Sequence, residues 1–422
     1  MTETALETTV DVAQPEKRRS ILGGTMIVAG TAIGAGMFSI PVATSGMWFG
    51  YSILLMLFSW FCMYSAALYL LEANLRFPKG ASFDSIAQGT LGTGGRLINT
   101  ACIGFLLYII LYAYISGGSS VIISTMKSFT SASISQGTAS LLFSVVLSAI
   151  VLVGTKAVDR ITTALMGGMI VSFAMSAHGL VSHAQVQSLF PSLPTSDVLK
   201  YSLGAFSVVA LSFAMQNTVP SLTKYYDKDE KKVRSALLFG SLITLAIYVI
   251  WQAAIFGNLD RGRFPGIIAA GGNIGTLLDA LAGADLSSNA ANLVTLFSNM
   301  AIASSFLGVA LSLFEFINDM FGFGDSTAGR IKTAAVTFVP PTALGILLPN
   351  GFITAIGYAG LMVTITFILT PVLMAMKGRK DGAEGYRVPG GSVRLYLILA
   401  FGIFSVLIAT LDIFGILPAF GH

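Results

Sequence analysis

The chain has 422 residues, 54% of them hydrophobic and only 10% charged, with a mean hydropathy of +0.79 and a formal net charge of +4. A soluble protein of this length needs far more charge to cover its surface, so the composition excludes a soluble globular domain and leaves a polytopic membrane protein. Its apolar runs reach the length of about 20 residues that a helix needs to cross the hydrocarbon, rather than the ~10-residue alternation of a β-barrel strand. The fold class is therefore an all-α membrane protein.

Residues 1–19 are polar and acidic until Lys17, Arg18 and Arg19, and no short apolar run ends in a cleavage pattern. They read as a cytosolic tail rather than a signal peptide. The first span, 21–48, contains "IVAGTAIGAGMFSIP" at 27–41, where Gly30, Gly34, Gly36 and Pro41 all weaken a helix. A GxxxG packing face accounts for Gly30 and Gly34 but leaves "AIGAG" unexplained. Further spans are expected at 51–73, 97–126, 137–154, 161–183, 199–221, 236–256, 287–317, 333–349, 352–376 and 395–418, making eleven. Cys62 and Cys102 lie in apolar runs and suit packing, being too few for a disulfide framework or a metal site.

Charge asymmetry orients these spans. With the N-terminus cytosolic, twenty of the 24 Lys and Arg fall on the inner side, and only Lys127, Lys200, Arg261 and Arg263 fall outside. The basic run "KYYDKDEKKVR", 224–234, then reads as a solvated inner loop. The outer segment 257–286 is too long for a simple turn and carries a helix-like pattern between glycines, which suits a lid or vestibule.

The sixth span repeats the peculiarity of the first. In "GAFSVVALSFAMQNTVPSL", 204–222, Gln216, Asn217 and Thr218 interrupt the apolar run and Pro220 removes a backbone donor. A Pro-kinked structural helix is the simpler account. If spans 1–5 (20–183) and 6–10 (199–376) are two repeats, however, the two interruptions correspond, and an odd number of spans inverts the second repeat. Span 11, 395–418, is additional. Unwound backbone at two such breaks can hold a zwitterion through N–H and carbonyl groups without a buried side-chain charge.

No Lys, Arg or His falls at mid-depth. His178 and His183 sit near the outer end of span 5, and Glu72, Glu315 and Asp319 near inner helix ends, where packing or gating competes with a proton-carrying role. Asp412 lies in the last span. No nucleophile and base pair, zinc pattern or phosphate loop supports an enzyme. Ser304 and Ser305 in "FSNMAIASSFLG" either bond back to the helix or ligate a small cation.

Taken together, "GTAIGAGMFSIPV", "LEANL", "YAYIS", "VPSL", "SNMAIASSFLGV" and "PNGFITAIGYAG" resemble the tryptophan/tyrosine permease branch of the hydroxy and aromatic amino acid permeases, within the amino acid/polyamine/organocation superfamily. The resemblance implies eleven spans, a LeuT-like five-plus-five inverted repeat with broken helices 1 and 6, and cation-coupled uptake of tryptophan or tyrosine across a bacterial inner membrane, with the C-terminus outside. By position it implies substrate contacts from the Ala35 and Gly36 N–H groups, the Ala32 and Phe213 carbonyls, and the side chains of Tyr112, Tyr114, Met215, Gln216 and Asn217. Two residues depart from the pattern: Gln216 stands where relatives carry His, and Met169 where proton-coupled relatives carry a Lys that replaces sodium. The departure at Met169 favours sodium over protons as the coupling ion, in a site of Gly30, Ile33 and Ala301 carbonyls with the Ser304 and Ser305 hydroxyls. Amino acid and membrane lipids are the expected partners, with no nucleic acid and no cofactor beyond Na+ or H+. A serine or threonine carrier and a transport-incompetent sensor are the competing readings.

Overall fold

The computed structural model describes residues 20–129, 134–283 and 288–421, and among them the secondary structure is entirely helical. In chain order the helices are α1 (Ile21–Ala32), α2 (Ala35–Thr44), α3 (Trp48–Asn74), α4 (Phe83–Phe129), α5 (Gln136–Val153), α6 (Thr155–His183), α7 (Val186–Leu189), α8 (Thr195–Ser212) and α9 (Thr218–Tyr225). There follow α10 (Glu230–Asn258), α11 (Phe264–Ala269), α12 (Ile274–Ala282), α13 (Ser288–Phe321), α14 (Thr327–Leu347), α15 (Phe352–Val363), α16 (Thr370–Lys380) and α17 (Gly391–Ile413). Among the described residues, eight helical stretches are long and apolar enough to cross a bilayer: α3, α4, α5, α6, α10, α13, α15 continued through α16, and α17. The bent pair α1 and α2, turned by 51° at its break, makes a ninth. The tail, residues 1–19, lies outside the described residues.

Local chemistry sets the helix ends. Ser135, Asp229 and Ser326 each accept a backbone N–H three residues on, from Thr138, Lys232 and Gly329, and so satisfy a donor that a helix N-terminus leaves open. The Lys232 N–H at Asp229 holds that carboxyl below its usual range. Two irregularities escape sequence reading. Gly92, at φ +76°, breaks α4 into a short first helix and the long span, so the helix begins well before residue 97. A π-helical turn, Thr364–Leu369, joins α15 to α16, and Thr370 Oγ1 donates to Ile365 O, five residues back, at 2.9 Å.

Because lipid is as apolar as leucine, helices in a membrane are held by close packing and polar contacts rather than by escape from water. Gly240 of α10 lets the Val28 side chain of α1 lie where any Cβ would collide with it. Phe38, Trp251 and Phe297 lock α2, α10 and α13 together, with ring centroids 5.7 to 5.9 Å apart. The described part of the 257–286 segment is a packed cap containing α11 and α12. Gly275 N–H donates to Ser120 Oγ at 3.0 Å, Ser124 Oγ to Asp279 at 2.6 Å, and Arg261 to Gly46 O at 2.8 Å.

Near the C-terminal end of α3, Glu72 is buried and accepts from Arg379 at 2.7 and 2.6 Å, from Arg76 at 3.1 Å and from the Val388 N–H at 2.8 Å. Its carboxylate therefore fastens α3 to α16 and to the segment before α17. Glu315, Asp319 and Asp412 are exposed, as are His178 and His183, and His183 Nδ1 lies 2.8 Å from Gly179 O.

Candidate functional site

The site is built where two helices stop short. The Ile33 N–H donates to Ala29 O at 3.0 Å, closing the end of α1, and Ile33 then turns extended at φ −75°, ψ 109°. Past Gly34 the chain restarts as α2, whose first N–H groups belong to Ala35 and Gly36, with no side-chain cap at the start. One short interval thus presents the carbonyl end of one helix and the amide end of another, the partial negative and positive poles of the two dipoles.

The second break has the same anatomy. Helix α8 ends at Ser212, with Phe213 N–H donating to Ala210 O at 3.1 Å and Ala214 N–H to Leu211 O at 3.0 Å. Helix α9 begins at Thr218, and Pro220 falls in its first turn, where a missing N–H costs nothing. Between them, Met215 N–H donates to Gln216 Oε1 at 2.9 Å, while Gln216 Nε2 donates to Met63 O at 3.0 Å. The Gln216 side chain is completely buried against α3 and holds the break in shape.

Tyr248 of α10 joins the two breaks. Its hydroxyl lies 2.7 Å from Ala32 O and 2.9 Å from Ser212 O, the last carbonyls of α1 and α8, and its ring meets the Phe213 ring edge to face at 5.3 Å. The residue is 1% exposed. Gly36 packs so closely on Ser212 that an added Cβ would lie 2.7 Å from the Ser212 Cα. Around Gly34, the Tyr114 hydroxyl and Ser305 Oγ each approach within 3.0 Å of where a Cβ would stand.

The structure therefore brings together Ala32, Gly34, Gly36, Tyr114, Phe213 and Ser305 from the residues singled out in the sequence, and adds Ser212 and Tyr248. Two of the others point elsewhere. Tyr112 donates to Leu348 O at 2.6 Å, bracing α4 against the turn between α14 and α15, and Gln216 is spent on Met215 and Met63. Met215 is buried within the second break, and Asn217 is exposed at the start of α9. Of the remaining residues in the cation set, Gly30 abuts the Met166 methyl of α6, Ile33 lies inside the first break, and Ser304 Oγ donates to Ala301 O at 3.1 Å. Met169 is buried in α6. Tyr248 escaped the sequence because a tyrosine in "AIYVIWQ" looks like any packing aromatic; the one signal was that a buried phenol needs a polar partner.

The fold is similar to that in the crystal structure of MhsT in complex with L-phenylalanine, with a TM-score of 0.61 at 15% identity, covering 95% of this chain and all of that one. Apolar helices arranged this way define a multi-pass helical membrane protein. Residues 17–409 match the tryptophan/tyrosine permease family, and the chain belongs to it. It is 47% identical to a tryptophan-specific transport protein of Pseudomonas aeruginosa (strain UCBPP-PA14), over 92% of this chain and 94% of that one. It is 43% identical to a tryptophan-specific transport protein of Shigella flexneri, over 95% and 97%. It is also 37% identical to a tyrosine permease of Enterobacter agglomerans, over 95% and 98%. These relatives are transport permeases and not enzymes, and the small molecule they serve is an aromatic amino acid.

Proposed function

We propose that the protein is a secondary active symporter importing tryptophan, tyrosine or both, coupled to a cation, with sodium favoured over protons. The observation that carries this reading is the meeting of two chain breaks at Tyr248, which gathers helix-terminal carbonyls and amides in one buried place. An amino acid's ammonium suits the carbonyls and its carboxylate suits the amides at the start of α2, with no buried side-chain charge to desolvate. Tryptophan is the favoured cargo because the relatives with the higher identities carry that name.

In this reading α8 with α9, and α14, join the nine apolar stretches as the tenth and eleventh spans, giving a cytoplasmic N-terminus and an outer C-terminus in a bacterial inner membrane. Packing supports a five-plus-five repeat. Exchanging each span with its counterpart five places on maps real contacts onto real contacts: α1 on α10 becomes α8 on α3, and α6 on α13 becomes α15 on α4. Both pairs in each case pack against one another. Sodium is favoured because Met169 offers no charge, Glu72 is neutralised by arginines, and Ser305 lies beside the first break.

The test is accumulation of labelled tryptophan in proteoliposomes under a clamped membrane potential, comparing an inward sodium gradient with an inward proton gradient. Saturable sodium-driven accumulation, competed by tyrosine more than by serine or threonine, is the expected result. Binding without accumulation would make the protein a sensor, and proton-driven accumulation would overturn the choice of ion.

A further inference from the structure

The Tyr248 hydroxyl faces two acceptors with one proton to give. A phenol donates a single hydrogen bond, yet both Ala32 O at 2.7 Å and Ser212 O at 2.9 Å lie within its reach. Both carbonyls close helices, so each carries the partial negative charge of a helix C-terminus, and both face a side chain that is 1% exposed. The arrangement is one donor short. A helix-terminal carbonyl left without a full partner is costly wherever protein rather than water surrounds it.

We propose that Tyr248 is a latch that competes with the substrate's amino group for the Ala32 and Ser212 carbonyls. This rests on the reading of the protein as an amino acid carrier and goes beyond it by naming what substrate must displace. An ammonium group brings three N–H donors and a charge, so it satisfies both carbonyls at once where the phenol satisfies one. When the ammonium leaves, the hydroxyl returns to the gap, spares the carbonyls full exposure and keeps the two half-helices at their spacing. Tyr248 is thus a positioning residue that lowers affinity in order to make release possible. The Phe213 ring, edge to face with the Tyr248 ring at 5.3 Å, packs beside the phenol that has to give way.

Removing the hydroxyl therefore has an unusual expected sign. Tyr248→Phe removes the donor that competes with the ammonium for the two carbonyls, so tryptophan binds about tenfold tighter while its maximal transport rate falls by a similar factor. Indole-3-propionate, which keeps the ring and the carboxylate but lacks the amino group, gains nothing from the substitution. The experiment measures dissociation constants of both ligands, and KM and maximal rate for tryptophan, on purified full-length protein with and without Tyr248→Phe. Tightening confined to tryptophan supports the latch; weaker tryptophan binding, or an equal change for both ligands, overturns it and leaves the hydroxyl a scaffold. If the variant does not fold, 3-fluorotyrosine at position 248 of the otherwise intact protein gives a second reading by 19F resonance. Tryptophan should move that resonance and indole-3-propionate should not; equal shifts overturn the proposal. Should the unsubstituted protein bind neither tryptophan nor tyrosine, the substrate reading itself fails, which is a separate result from a latch that fails in a protein that binds.

Discussion

Gln216 shows what a polar residue in a chain break at membrane depth has to accomplish. Its amide takes the Met215 N–H and gives to Met63 O, closing a loop of backbone groups that hydrocarbon could not solvate. Gln216→Leu keeps much of the volume and strands the Met215 N–H, at a cost of about 1–3 kcal/mol. The expected outcome is a lower unfolding midpoint in detergent with the order of competing aromatic amino acids unchanged. A reordered competition series at an unchanged midpoint would instead return the side chain to the substrate pocket. The polarity of "AMQN" within an apolar run announces the break, but the direction of the side chain depends on Met63, 153 positions away. Tyr248 was less legible still, because its partners are carbonyls that exist as acceptors only once both helices have stopped.

At the scale of elements, apolar run length located the long helices, since crossing hydrocarbon constrains length directly, but not their starts: α4 begins at Phe83 rather than near 97, and α10 at Glu230 rather than near 236. The Gly92 break and the π-turn after Val363 left no comparable trace: several glycines crowd around the first, and the second is decided by how α15 and α16 settle against their neighbours. The Glu72 ion pair belongs to the same class of feature. A carboxylate near an inner helix end could have carried protons or built structure, and only the arrival of Arg379, 307 residues later, decides for structure. Removing one partner of such a buried pair strands the other, at about 3–5 kcal/mol. Arg379→Met should therefore destabilise the protein severely, because Arg76 alone cannot satisfy both oxygens. Adding Glu72→Gln to that variant should recover part of the loss, since the uncompensated charge goes with it. Thermal midpoints of the wild type, both single variants and the double variant form the cycle. A double variant no more stable than Arg379→Met would mean that the helix junction needs the charge itself rather than its neutralisation.

For the whole molecule, the placement of Lys and Arg is the sequence's argument for the proposed orientation, because insertion into a membrane sorts those charges and one misplaced span would invert every later loop. The driving ion is written far more faintly. A coupling proton needs a titratable carrier near the site, and the described carboxylates lie elsewhere: Glu72 is locked between arginines, and Glu315, Asp319 and Asp412 are exposed. Hydroxyl and carbonyl oxygens, by contrast, are close at hand. Ser305 Oγ reaches the first break, and Ser304 Oγ touches the Ala301 carbonyl, so a small hard cation could draw on all three once the Ser304 proton turns aside. Such a site would bind the wall of span 8 to the unwound stretch of span 1, and occupancy by an ion would bias the very helix break proposed above for the substrate. That is the requirement for coupling: the ion and the substrate must prefer the same arrangement. Replacing Ser304 and Ser305 together by Ala removes two oxygen ligands to a charge, each worth about 1.5–3 kcal/mol. Sodium-driven tryptophan accumulation should then fall by at least about tenfold, while tryptophan affinity measured without sodium and the unfolding midpoint stay as they were. If the double variant instead keeps its full sodium dependence, the ion sits elsewhere, and the proximity of Ser305 to Gly34 is packing alone.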